Sequence, residues 1–131
     1  MTVNKLEHVG IMVSSLEDSI EFYQRVIGLQ LLETMGPIGE HVRLAFMAFQ
    51  GQTSVEIELV EGASDSSLPN EGKVHHVAFS VEGIEDEYER IKRLGLDGLD
   101  PEITTLPNGS RYFFFDGPDG ERLEFFQSTR G

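Results

Sequence analysis

The run His-Val-Gly-Ile-Met-Val at residues 8–13 returns as His-Val-Ala-Phe-Ser-Val at residues 76–81. A constant shift of 68 pairs His8 with His76, Val9 with Val77 and Val13 with Val81, then continues through Glu17/Glu85, Asp18/Asp86, Glu21/Glu89, Arg25/Arg93 and Leu31/Leu99. That is eight identities in the 25 positions from residue 7 to residue 31, without a gap. A repeat of this length constrains the fold more than any local propensity, because it makes the chain two copies of one supersecondary unit.

The alternation over residues 4–13 predicts a strand with Val9, Ile11 and Val13 on one face and Leu6, His8, Gly10 and Met12 on the other. Ser14 and Ser15 offer N-cap hydroxyls, with Glu17 and Asp18 as capping partners. Leu16, Ile20, Tyr23 and Ile27 follow at helical spacing, and Gly28 supplies the C-cap. Leu29–Glu33 reads as a second strand. Residues 34–41 hold two glycines and a proline and read as a loop. Arg43–Phe49 and Ser54–Glu61 are the third and fourth strands, the latter with Val55, Ile57 and Leu59 opposite Glu56, Glu58 and Val60. Residues 62–73 are small and polar and form the one linker.

The unit then restarts. Residues 74–81 are a strand, Ile84, Tyr88, Ile91 and Leu94 a helical stripe, Gly95 a cap, and residues 104–109 a loop before the strand 112–115. The turn Gly117-Pro118-Asp119-Gly120 is two residues shorter than its counterpart, so the shift falls to 66 and Glu58 meets Glu124. The expected fold is therefore α+β: two tandem βαβββ modules (module one 4–61, module two 74–128) in one domain of 131 residues. Helices cover one face of a mostly antiparallel sheet, leaving a concave face free.

Composition narrows the partners. The chain has no cysteine, which excludes disulfides and thiolate ligands, and its net charge of −13 argues against nucleic acid. No apolar run approaches the roughly 18 residues of a membrane helix, and no signal pattern opens the chain, so a cytoplasmic protein without a membrane partner is expected.

Parity carries the chemistry. His8 and His76 alternate away from the positions that pack under the helices, and Glu58 and Glu124 do the same on the fourth strands. If first and fourth strands are neighbours, two imidazoles and two carboxylates share the concave face at equivalent places. Burying carboxylates without a cation is costly. The donor set suits one divalent ion, Zn²⁺, Ni²⁺, Co²⁺, Mn²⁺ or Fe²⁺, with two octahedral positions left for water or substrate.

These motifs, together with Ser19-Ile20-Glu21-Phe22-Tyr23, Gly28-Leu29 and Pro118-Asp119-Gly120 before Leu123-Glu124-Phe125, resemble the vicinal oxygen chelate superfamily of glyoxalase I, bleomycin-resistance proteins and extradiol dioxygenases. The resemblance spans nearly the whole chain. It implies paired βαβββ modules about a concave metal site, His8, Glu58, His76 and Glu124 as the full ligand set of a glyoxalase I, and a homodimer, the site completed within one chain or across two. It further implies a lyase or isomerase that moves a proton next to a carbonyl through a metal-stabilised enediolate, with Glu124 as base and Glu58 serving the opposite face. The alternatives are a methylmalonyl-CoA epimerase-like isomerase, a bleomycin- or fosfomycin-resistance-type binding protein and an extradiol-type dioxygenase. The substrate class is a thiol hemithioacetal or an acyl thioester.

Three positions depart from the family's patterns. Met12 stands where bacterial glyoxalase I enzymes typically carry arginine and Gly62 where they tend to have asparagine; Glu58 replaces the glutamine common in epimerases. Arg43 and Arg111, at equivalent strand starts, either receive an anionic substrate or are solvated strand ends. Met12, Phe113, Phe115 and Phe126 either line the pocket or fill core. The loops 34–41 and 104–110 are candidate lids. His75, out of phase by one residue, is expected to face the helix side, and His41 lies in a loop.

Overall fold

The computed structural model describes residues 6–62 and 75–129. Most of the expected linker, and the expected strand residues at positions 4, 5 and 74, lie outside them. The chain divides into two compact units, Met1–Leu68 and Pro69–Gly131.

The first unit runs β1 (His8–Val13), α1 (Leu16–Phe22), a π-helical turn (Tyr23–Ile27), β2 (Gln30–Ile38), β3 (Val42–Phe49) and β4 (Gln52–Glu61). The second runs β5 (Val77–Ser80), α2 (Ile84–Leu94), β6 (Thr104–Thr105), β7 (Arg111–Asp116) and β8 (Arg122–Gln127). Each unit is thus the expected βαβββ, built on one four-stranded sheet ordered β1-β4-β3-β2 or β5-β8-β7-β6. The first and fourth strands are parallel neighbours and the other pairs antiparallel. Both shifts, 68 on the first strands and 66 on the fourth, are visible in the register: Gly10 lies opposite Glu58, and Ala78 opposite Glu124.

Alternation sorts the faces as anticipated. In the first unit Ile11, Val13, Ala45, Met47, Ile57 and Leu59 are buried. In the second the core is aromatic, with Phe113, Phe115 and Phe125 in mutual ring contact and Tyr88 edge-on to Phe113. Phe113 is fully buried. The choice left open for it and Phe115 falls to core, because odd positions of β7 share the face of Leu123 and Phe125. Phe113 is therefore no pocket residue, which corrects that expectation.

Ser15 caps α1 as expected, its hydroxyl accepting from Asp18 N–H at 3.2 Å. The buried stripe is rotated from the expected one: Leu16, Ser19, Phe22, Tyr23 and Val26 are buried, and Ile20 and Ile27 only partly so. The first helix also carries one residue more than α2 before its cap glycine. The structure absorbs it as the π turn, where Gly28 N–H donates to the Tyr23 carbonyl at 3.0 Å. Gly28 (φ 92) and Gly95 (φ 68) then both end their helices in the left-handed conformation.

Two loops differ from expectation. Residues 34–38 extend β2, and only 39–41 turn into β3. Gly36 and Pro37 are accommodated by a register shift between Met35 and Ile38 on an edge strand, where proline's missing N–H costs no ladder bond. A side chain at Gly36 (φ 116) would meet the Val42 carbonyl at 2.5 Å. Conversely β6 keeps only two residues. Its place beside β7 is taken in part by Asp97–Asp100: Asp100 N–H donates to the Phe114 carbonyl, and Phe114 N–H to Asp100 Oδ2. Residues 104–110 close as a stitched turn, with Leu106 N–H on the Ser110 carbonyl at 2.8 Å. Among the described residues no helix is long and apolar enough to cross a membrane.

Candidate functional site

Each unit brings one histidine and one glutamate together on the face its helix leaves free. His8 Nε2 lies 3.5 Å from Glu58 Oε1, and His76 Nε2 lies 3.3 Å from Glu124 Oε1. The geometry follows from the parallel pairing of first and fourth strands. His8 stands two residues before Gly10, the register partner of Glu58, and His76 two before Ala78, the partner of Glu124. A phenylalanine completes each trio. Phe46 lies opposite Glu58 and meets the His8 ring edge-on at 6.2 Å; Phe114 lies opposite Glu124 and meets His76 at 5.1 Å. Neither phenylalanine was singled out from sequence, although the same shift of 68 relates them.

The 3.3 Å pair of the second unit has the spacing of two donors on one ion, and the 3.5 Å pair of the first lies just beyond it. Two donors held at about 2.1 Å from one metal, 90–109° apart, lie roughly 3.0–3.4 Å from each other. Nitrogen and carboxylate oxygen are also the donor types a borderline divalent ion takes. Each half provides two such donors, and among the described residues no group of three or more His, Asp or Glu side chains forms a ready-made cluster.

The two halves differ electrostatically. Around His8 stand Glu7, Glu56 and Glu58. The hydrogen bond to Glu7 raises the imidazole pKa most, with the charges of Glu58, Glu7 and Glu56 adding against a desolvation that lowers it. Glu124 is the most enclosed of the four, 7% exposed, and burial pushes its carboxyl up, with Asp100 adding and His76 and His75 opposing. At the position of Glu56 the second unit has Arg122, which lies over the Phe114 ring at 5.0 Å and pairs with Asp116 at 2.7 Å and with Asp100 at 3.7 Å.

The remaining candidates separate cleanly. Met12 is exposed on the His8 face. Phe126 is half-buried on the Glu124 face, stacked on Tyr112; Tyr112, edge-on to Phe114, extends an aromatic strip that sequence reasoning missed. Arg43 and Arg111 are engaged elsewhere. Arg43 binds Glu17 and Glu61, and Arg111 binds Glu85, so the structure assigns these arginines to holding helix against sheet. Glu61 Oε2 also accepts from Leu16 N–H, as Gln127 Oε1 does from Ile84 N–H in the second unit. His75 does not face the helix. It precedes β5, where strand parity has no hold, and its ring meets both His76 and Phe114.

Comparison with known proteins places the chain in a family. Residues 5–125 match the family model described as the Glyoxalase/Bleomycin resistance protein/Dioxygenase superfamily, a description spanning enzymes and resistance proteins. The uncharacterized protein YwbC of Bacillus subtilis is 46% identical over 94% of this chain and 97% of its own. A lactoylglutathione lyase of Neisseria meningitidis is 30% identical over 97% of this chain and 93% of its own. Among solved structures, the fosfomycin resistance protein FosX of Listeria monocytogenes, complexed with Mn(II) and sulfate, aligns with a TM-score of 0.73 at 22% identity, covering 98% of this chain and 95% of that one. Its tetragonal form aligns with a TM-score of 0.72 at 23% identity, covering 98% of this chain and 94% of that one.

Proposed function

Because the chain belongs to the Glyoxalase/Bleomycin resistance protein/Dioxygenase superfamily, we propose that it is a divalent-metal-dependent lyase or isomerase of the glyoxalase I type, moving a proton at a carbon next to a carbonyl. The observation that carries this reading is the duplicated His–Glu pair, 3.5 Å in one unit and 3.3 Å in the other. The lactoylglutathione lyase relative and the Mn(II) complex of FosX support it.

His8, Glu58, His76 and Glu124 together would hold the ion, the two units drawn from one chain or from two chains of a cytoplasmic homodimer. A bound divalent ion would supply Lewis-acid stabilisation of negative charge on a substrate oxygen. Glu124, the most enclosed of the four side chains, takes the carbon-bound proton as general base. Glu58, the less enclosed carboxylate, serves the opposite face of the substrate. Met12 and Phe126 flank the two halves and present apolar surface to a small substrate, a thiol hemithioacetal or an acyl thioester. Met12 in place of an arginine favours a thiol other than glutathione.

Solvent-deuterium exchange tests the reading, with a hemithioacetal and an acyl-CoA offered in parallel to protein of known metal content. Deuterium entering the product of the hemithioacetal is expected. Incorporation with the acyl thioester alone moves the assignment to an epimerase. The aromatic strip of Tyr112, Phe114 and Phe126 favours, as a second reading, a binding protein of the resistance type, and purified protein without a stoichiometric ion and without exchange decides for it.

A further inference from the structure

The residue immediately before each candidate ligand histidine bonds that histidine's other ring nitrogen. Glu7 Oε1 lies 3.0 Å from His8 Nδ1, and His75 Nδ1 lies 2.9 Å from His76 Nδ1. Glu7 and His75 are equivalent under the shift of 68, although their side chains have nothing in common. Two different residue types making one contact at one repeated position point to the contact itself as the shared feature.

A neutral imidazole carries one proton, and whichever nitrogen donates leaves the other with a bare lone pair. An ionised carboxylate only accepts, so Glu7 requires His8 to hold its proton on Nδ1. That leaves Nε2, the nitrogen facing Glu58, as the basic atom. His75 can accept in the same way through its own Nδ1. Both contacts are anchored: the Glu7 carbonyl accepts from Glu56 N–H on β4 at 3.1 Å, and the His75 ring leans on Phe114 of β7 at 6.3 Å.

We infer that Glu7 and His75 are positioning residues that accept from Nδ1–H of His8 and His76, favouring the tautomer whose Nε2 lone pair is left for an ion held with Glu58 and Glu124. The inference rests on the metal-site reading above and names the outer partners that orient its imidazoles. It also separates the two halves. Glu7 holds His8 in one tautomer and adds negative charge. His75 Nδ1 accepts from His76 only in the tautomer that carries its own proton on Nε2, so the proton of His76 is set through that of His75.

Two measurements test this. Long-range ¹H–¹⁵N spectra of the metal-free protein, recorded at a pH high enough for His8 to be neutral, report which of its nitrogens is protonated. Nδ1 protonation is expected in the wild type and in Glu7→Gln, whose amide oxygen still accepts, with a shift toward Nε2 in Glu7→Ala. An unchanged tautomer in Glu7→Ala would overturn the inference. Co(II) affinity, read by its absorption bands, is the second measurement. Glu7→Ala, His75→Ala and His75→Phe, the last keeping a ring against Phe114, should each weaken binding by about 10–100-fold. Glu7→Gln and His75→Asn should stay near the wild type. Equal affinity across all of these variants overturns the positioning role while leaving the metal site standing. A wild type that binds no Co(II) overturns the metal reading, and the spectra of the metal-free protein still decide the tautomer.

Discussion

Arg43 donates to both carboxylate oxygens of Glu17, at 2.6 and 2.9 Å, and in the second unit Arg111 repeats the tie to Glu85 at 3.1 Å. In each unit an arginine at the start of the third strand clasps a glutamate in the first turn of the helix. The bond thus fixes helix to sheet at the same place twice. Arg43 adds two hydrogen bonds to Glu61, whose carboxylate caps Leu16 N–H, so one guanidinium ties helix start, β3 and β4 together.

That tie makes the first unit acid-sensitive in a calculable direction. Hydrogen bonds from Arg43 hold Glu17 and Glu61 below the ordinary carboxylate value of 4.5. A carboxylate depressed in the folded state contributes stability that is complete above its unfolded value and drains as pH falls through the folded one. Thermal unfolding of the wild type should therefore lose midpoint temperature as pH drops below 4.5. Arg43→Ala should unfold at lower temperature at pH 7 and show a flatter acid limb. Arg43→Lys should recover only part of the loss, because an ammonium cannot bind Glu17 through two parallel bonds. An acid limb of equal slope in wild type and Arg43→Ala would show that these carboxylates titrate normally.

The order of elements and the pairing of each candidate histidine with a glutamate were legible because a repeat carries information that single positions do not, whereas the adjacency of first and fourth strands had to come from the structure. His8 alone is an exposed histidine on a strand; His8 paired with His76, each two residues ahead of a fixed register partner, locates Glu58 and Glu124. What escaped the sequence lies where the two copies diverge. The nine residues of β2 and the two of β6 occupy matching edge positions, and an edge strand is set by neighbours more than by its own pattern. Gly36 and Pro37 read as loop since nothing local distinguishes a bulged edge strand from a turn. The rotated stripe of α1 reflects the extra residue of the π turn. His75 misled because parity was applied one residue before its strand begins.

Metal binding should appear as stability. A ligand at 100 times its dissociation constant stabilises the folded state by about 2.7 kcal/mol, which for a domain of this size raises the midpoint by about 10 °C. Mn²⁺, Ni²⁺, Co²⁺ and Zn²⁺ titrations of chelator-treated protein should show such a rise. His8→Ala and His76→Ala should each abolish it entirely if the two halves serve one ion, and only in part if each half binds its own. Mixing the two variants distinguishes the remaining arrangements: recovery of binding in the mixture means that the halves meet across a dimer, and no recovery means that they meet within one chain.

Glu124 and Glu58 should part company in turnover. Glu124→Gln is expected to reduce product formation and solvent-deuterium exchange by about 10²–10⁴-fold, the range for loss of a general base, with its circular dichroism spectrum unchanged. Glu58→Gln should do less to exchange and more to the stereochemical course, since its carboxylate serves the other face. Exchange at wild-type rate in Glu124→Gln would assign the base elsewhere.

Phe113 and Phe126 were candidates of the same kind and now make opposite predictions. Phe113 is fully buried against Tyr88, Phe115 and Phe125, so Phe113→Ala should cost about 3–5 kcal/mol and lower the urea midpoint sharply. Phe126 is half-buried beside Tyr112 on the opposite face of β8, and its truncation should cost far less stability. On the reading proposed above, its effect falls on substrate: Phe126→Ala raises KM with kcat nearly unchanged, the signature of lost uniform binding. A Phe126→Ala protein that unfolds as readily as Phe113→Ala, with KM unaltered, would place Phe126 in the core and remove it from the substrate's contacts.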